Sequence, residues 1–209
     1  QTMRKLIPVI LITVVLLPIF LIGQADSAIS ISQINKYETQ TKQLINYLQG
    51  TLNFIGDPNE IPSEKDIIFN ESYLKLFASD MVQIEDDLDE NRDLPLNKDV
   101  QAYLKDIDFF FKEARFSFEI ENTESIITDS NKIVFKVTLN RNLQGITVEN
   151  DTINNNQLRY IEINLDPNQK DLKIASIYTT KIQEKEEIRN WWNDMSNEWK
   201  NYFGKSVIV

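Results

Sequence analysis

The rhythm of apolar residues changes once along this chain, near Phe111, and that change restricts the fold more than any other feature. Before it, apolar side chains recur at three, four and seven residues, the spacing of an amphipathic helix. After it they recur at every second residue, the spacing of a strand with one buried face. The first half predicts three helices. Residues 32–53 carry Ile34, Tyr37, Leu44, Ile45, Leu48 and Leu52 on one face, and Gly50 with Gly56-Asp57-Pro58 closes the run. Pro62-Ser63 opens the second helix, with Asp66 as the acid of a capping box, and it carries Ile67, Ile68, Tyr73, Leu74 and Phe77. Residues 81–84 read as a short strand ahead of the acidic run 85–90. Asn97 is placed to cap the third helix, whose stripe is Val100, Tyr103, Leu104 and Ile107.

The second half predicts four strands. Phe116, Phe118 and Ile120 alternate with polar residues, as do Ile133, Phe135, Val137 and Leu139, then Ile161, Ile163 and Leu165, and finally residues 172–180. Short links and one apolar face per strand imply an antiparallel meander whose buried face the helices must cover. Residues 142–156, with Gly145 and several Asn, read as a long or wide hairpin connection.

Two flanking segments lie outside this α+β unit. Arg4 and Lys5 precede the apolar stretch 6–22, and Gly23-Gln24-Ala25 offers small residues for signal-peptidase cleavage before Asp26. Residues 1–25 are therefore expected to be a signal peptide, or else a retained membrane anchor at the short end of spanning length. Cleavage would remove Arg4, Lys5 and no acid, making the net charge of −10 more negative by two. A surface this acidic repels nucleic acid and anionic lipid, so the only expected membrane contact is through residues 6–22 if they stay attached. At the other end, residues 183–204 form an amphipathic pattern with Ile188, Trp191, Trp192, Met195, Trp199, Tyr202 and Phe203 on one side. All three Trp of the protein fall here. The face of Trp191, Trp192, Met195, Trp199, Tyr202 and Phe203 is expected to dock on its own sheet, a second copy or a following domain. Residues 205–209 then read as the start of a linker or further domain.

Helices leading into a curved four-stranded antiparallel sheet resemble the NTF2-like cone, which places residues 26–182 in that α+β class. Residues 82–88, 99–104, 159–166 and 172–180, together with Trp191-Trp192 and Glu198-Trp199-Lys200, are similar to an N-terminal module of exported Gram-negative envelope proteins. The resemblance implies a periplasmic or otherwise exported location, and a supporting role beside leucine-rich repeats or a domain similar to formylglycine-generating enzyme. It brings no catalytic residue.

Composition narrows the chemistry further. The sequence contains no His and no Cys, which removes the commonest general base, the commonest zinc ligands and any disulfide. Asp87, Asp89, Asn91 and Asp93 match the first four liganding positions of a calcium loop, but Arg92 and Lys98 stand where Gly and Glu are required. A solvated acidic loop is the better reading, and no cofactor is expected. Asp26-Ser27-Ala28 and Asp151-Thr152-Ile153 resemble short O-glycosylation acceptors. Tyr103, Tyr160 and Tyr178 read as core-edge residues. The leading expectation is a non-catalytic exported interaction module that supports a protein partner or downstream domain. Its alternatives are a small-molecule-binding NTF2-like enzyme using a buried carboxylate, and a homodimeric structural module.

Overall fold

The computed structural model describes residues 30–89, 96–127, 132–166 and 170–179. The expected export segment, the aromatic stretch 183–204, Asn91 and Asp93 lie outside the described residues. Helix α1 (Ile31–Gly56) begins earlier than its apolar stripe because Ser30 accepts a hydrogen bond from the Gln33 amide while Gln33 reaches back to the Ser30 N–H. Helix α2 (Pro62–Asn70) starts differently from the sequence expectation. Ile61 is its N-cap, Pro62 supplies the first turn, and Ser63 makes no capping bond. The chain then tightens into a 3-10 helix (Ser72–Lys75), so that Phe69, Tyr73 and Phe77 turn inward while Ile67 and Leu74 face solvent. Helix α3 (Val100–Phe110) is capped by Asp99, whose carboxylate takes the Ala102 N–H at 2.8 Å, and not by Asn97. Asn97 belongs instead to a strand.

The sheet is larger and less uniform than a four-stranded antiparallel meander. Among the described residues it has six strands: β1 (Gln83–Glu85), β2 (Asn97–Asp99), β3 (Phe111–Ile127), β4 (Ile133–Thr147), β5 (Thr152–Leu165) and β6 (Leu172–Tyr178). Their spatial order is β2-β1-β6-β5-β4-β3. The four long strands pair antiparallel as expected, whereas β1 joins β6 in parallel through Gln83↔Ser176 and Ile84↔Ile177. The short strand expected at residues 81–84 is β1, but its parallel pairing and the three-residue β2 are too short to show in a period. What the sequence does not advertise, tertiary pairing supplies: the segment before β1 already runs along β6, with the Ala78 N–H donating to Ile174 O and the Ile174 N–H donating to Leu76 O.

The expected wide connection at residues 142–156 is instead the continuation of both strands, closed by a tight turn at 148–151 with Asn150 at φ 75°. Apart from Asn150 in that turn, the Asn residues there stand in the two paired strands and not in a loop. Asn142 Nδ2 donates to Asn154 Oδ1 at 3.1 Å and to Asn156 Oδ1 at 3.0 Å, so a side-chain amide ladder compensates for low strand propensity.

Helices α1 and α3 lie against the inner face of the sheet, where Phe116, Phe135, Val137, Leu139, Leu143, Ile161, Ile163 and Ile174 meet Ile45, Leu48, Leu52, Ile55, Leu104 and Ile107. Register shifts between Phe111 and Glu113, and between Ile120 and Asn122, bend β3 at the sheet edge. The open side of β3 is blunted by α1. The Phe116 N–H donates to Asn53 Oδ1 at 2.6 Å, Asn53 Nδ2 donates to Phe116 O at 3.0 Å, and the Phe118 N–H donates to Gln49 Oε1 at 2.6 Å. Side-chain amides thus satisfy edge groups that would otherwise template another strand. Asn53→Ala is expected to cost about 1 kcal/mol, since water reaches this half-buried edge. Urea denaturation measures that cost, and a variant as stable as the parent would assign the contact no weight.

Candidate functional site

The inner face of the sheet changes character along its length. On β4 the inward series Ile133, Phe135, Val137, Leu139 ends in Arg141 before Leu143, and on β5 the inward series runs Asn155, Gln157, Arg159 and then Ile161 and Ile163. One end of the concave face is apolar. The other carries two arginines that the alternation forces inside, because a period of two leaves no choice of face.

The partners of these arginines come from the segment after β1. Asp87, with a fully buried side chain, sets Oδ2 2.5 Å from Arg141 Nη2 and Oδ1 3.0 Å from Arg159 Nη2. The Tyr103 hydroxyl, reaching in from α3, donates to Asp87 Oδ1 at 2.9 Å. Arg159 Nη1 donates to Glu85 O at 2.8 Å, and Arg141 Nη2 donates to Asp87 O at 3.2 Å and to Gln157 Oε1 at 3.1 Å. Arg141 Nη1 also donates to Asn155 Oδ1. One carboxylate is therefore clamped between two guanidiniums and a phenol, and the clamp ties β1, α3, β4 and β5 together. Burial first, and then the Asp87 charge, push the Tyr103 phenol far above the ordinary tyrosine range, against the smaller opposing pull of Arg159 and Arg141. Tyr103 thus keeps its proton near neutral pH and donates it to Asp87.

A second polar group sits beside the first. Asp86 Oδ1 accepts the Leu88 N–H at 3.0 Å, while its Oδ2 lies 2.7 Å from Lys98 Nζ, which also contacts Asp106 on α3. Burial lowers the Lys98 pKa, but the hydrogen bonds to Asp106 and Asp86 outweigh it and hold the ammonium above its ordinary value. Glu85 points to the other face, where its carboxylate accepts the Thr179 N–H at 2.7 Å. The acidic run is thus divided among separate structural tasks. Asp87, proposed from spacing as a cation ligand, is occupied by two arginines. Asp89 is exposed, and among the described residues no group of three acidic side chains could hold a metal ion.

Of the three tyrosines read as core-edge residues, Tyr103 enters the core, while Tyr160 and Tyr178 pair with each other across the outer face. Glu162 shares that outer face, paired with Lys136 on β4. Burial raises its pKa and Lys136 only partly opposes the shift. A carboxyl whose folded pKa is raised contributes most below its unfolded value and loses that contribution as pH climbs through the folded value. Glu162→Gln is accordingly expected to be more stable than the parent at neutral pH, with the gap closing below the ordinary Glu pKa of 4.5. Thermal melts across that range are the measurement, and a gap that does not shrink in acid would contradict the assignment.

Two spaces complete the picture. Inside, beside Tyr103, Arg141 and Arg159, the packing leaves a cavity of about 10 Å³, room for about one water. Outside, a groove of about 430 Å³ runs between α1 and the 3-10 helix, floored by Leu44, Leu76 and Leu172 and walled by Tyr47 and Ile68. Sequence reasoning found neither the arginine clamp nor this groove. The signal for the clamp was present, since Arg141 and Arg159 occupy the inward phase of their strands. For the groove the signal was Tyr47, a large aromatic residue outside the apolar stripe of α1 and 71% exposed.

No protein-family model matches the sequence, and no curated protein matches it. Among solved structures the chain is similar to an NTF2-like superfamily protein from Salmonella enterica serovar Typhimurium, with 8% identity and a TM-score of 0.48 over 73% of this chain and 96% of that one. It is also similar to ActVI-ORFA from Streptomyces coelicolor, at 9% identity and TM-score 0.43 over 69% and 96% of the two chains. The association domain of CaMKII from C. elegans matches at 10% identity and TM-score 0.40 over 70% and 99%. These are likenesses of shape at low identity, and none carries a residue correspondence into the clamp or the groove.

Proposed function

We propose that this chain is a non-catalytic interaction module of the bacterial envelope, and that the groove between α1 and the 3-10 helix is its receiving surface. The observation that carries the reading is the contrast, among the described residues, between the interior space beside the clamp and the outer groove. Inside the cone, the carboxylate that a small-molecule enzyme would use as its base is held by two guanidiniums and a phenol, beside a cavity with room for about one water. General-base work needs a carboxylate within reach of substrate, and the Asp87 oxygens face protein. Outside, the groove is within the size range of ligand sites and is mainly apolar with a polar margin. Export is supported by Arg4, Lys5 and the apolar stretch 6–22, and a role beside a further domain or protein partner by the sequence resemblance.

Free indole at millimolar concentration, titrated into the isotope-labelled full chain with Trp191, Trp192 and Trp199 replaced by Ser so that no internal indole competes, tests where aromatic groups are received. Amide shifts are expected at Gln43, Tyr47 and Leu76. Shifts confined to Leu139, Arg141 and Ile161 would instead support the alternative of a small-molecule enzyme with an interior site.

A further inference from the structure

Resting on the groove as a docking surface, we propose that its occupant is the chain's own tryptophan-rich stretch, residues 188–203, folded back in cis. Four observations converge on that segment. The groove is apolar along its floor, and Tyr47, at 71% exposure, leaves a large aromatic face uncovered beside it. The lengths agree. The groove follows α1 from Gln40 to Thr51, about 17 Å, and residues 188–203, if helical as their apolar spacing predicts, would span about 24 Å, enough to run its length.

The reach also agrees. Leu172 lies in the groove floor and β6 carries the chain about 23 Å away from it by Thr179. Residues 180–187 could span at most about 26–29 Å, enough to return Ile188 to the groove in an extended conformation. The chemistry is matched as well. Buried indole N–H groups require acceptors, and the groove margin offers the side-chain oxygens of Gln40, Gln43, Thr51 and Ser72. Trp191, Trp192 and Trp199 would place their rings over the leucines and their N–H groups at this margin. Because tether and groove belong to one chain, the effective concentration of the segment is high and a modest intrinsic affinity suffices to keep the groove filled.

The test is fluorescence excited selectively at the red edge of tryptophan absorption, where tyrosine does not contribute, because all three tryptophans of the protein lie in this segment. Emission of the full chain is expected to be blue-shifted and shielded from acrylamide. The double variant Tyr47→Lys with Ser72→Arg changes an exposed and a half-buried groove residue and leaves the core untouched. It is expected to shift the emission to the red and to raise acrylamide quenching several-fold, with circular dichroism otherwise unchanged. Solvent-like emission in the parent would overturn the proposal, as would shielded emission that the double variant does not alter. Shielding that appears only with rising protein concentration, together with a dimer mass by light scattering, would also overturn it in favour of a second copy as occupant. Indole-induced shifts at Tyr47 and Leu76 separate this failure from failure of the groove itself: they persist if only the occupant is wrong and vanish if the groove receives nothing.

Discussion

Asp87→Ala is expected to lower the folding stability by about 3–5 kcal/mol, a large part of the roughly 5–15 kcal/mol that holds a domain together. The side chain of Asp87 is fully buried and those of Arg141 and Arg159 are 2% and 4% exposed, so the variant would leave two guanidiniums facing each other without their shared counter-ion. Most of the loss comes from that uncompensated charge and not from the missing attraction, and a second variant separates the two. Replacing Asp87, Arg141 and Arg159 together with Leu, Met and Met is expected to recover most of the stability, because removing both signs of a buried charge cluster costs little. Tyr103→Phe removes one hydrogen bond to a charged acceptor and is expected to cost about 1.5–3 kcal/mol. Urea unfolding of all three variants gives the order, with slopes unchanged if the native fold is kept. A single Asp87→Ala variant as stable as the parent would mean that the clamp contributes nothing to the fold.

The clamp also shows where sequence reading stops. Period alone fixed the inward face of β4 and β5, and with it the burial of Phe135, Val137, Leu139, Ile161 and Ile163. The same rule, followed two residues further, predicts Arg141 and Arg159 inside; an arginine read by composition is placed on the surface, and that habit hid the site. Asp87 was hidden for another reason. Its neighbours Asp86 and Asp89 make the run look like solvated charge, and only the three-dimensional return of β1 alongside β6 brings Asp87 beneath the sheet. Helix caps were missed as well. The local box of Ser30 with Gln33 lies ahead of the apolar stripe and was passed over, the Ser63 and Asp66 pattern makes no capping bond, and Asn97 and Asp99 are equally good caps on paper. Pairing of β2 with β1 decides between them, since it draws Asn97 into an extended ladder opposite Glu85. Apolar period was legible over the long helices and strands, whereas the choice between Asn97 and Asp99 and the partners of the buried charges depended on contacts distant in sequence.

Gly56 gives the last instance and the one with opposite signs on the two views. As a glycine at a helix end it reads as a breaker, and on helix propensity Gly56→Ala should stabilise the protein by about 1 kcal/mol. In the folded chain Gly56 is the final residue of α1 and is buried against β3, where an added Cβ would come within 2.2 Å of Ala114 O and 2.9 Å of Ala114 Cβ. Neither neighbour can yield cheaply. Ala114 is itself buried and paired with Gly145 of β4, where a Cβ would lie 2.6 Å from Glu113 O, so β3 is pressed between two glycines at the site of its bulge. A backbone carbonyl cannot swing away as a long side chain would, and relief requires lifting the end of α1 from the sheet. The overpacking cost, about 3 kcal/mol or more, exceeds the propensity gain. Gly56→Ala is therefore expected to be destabilised by about 2 kcal/mol or more net, with faster hydrogen exchange in the last turn of α1 and around Ala114. A stabilised Gly56→Ala would show that α1 and β3 do not approach this closely, and the Asn53 and Gln49 contacts to the sheet edge, one and two turns earlier on the same helix, would have to be redrawn with it.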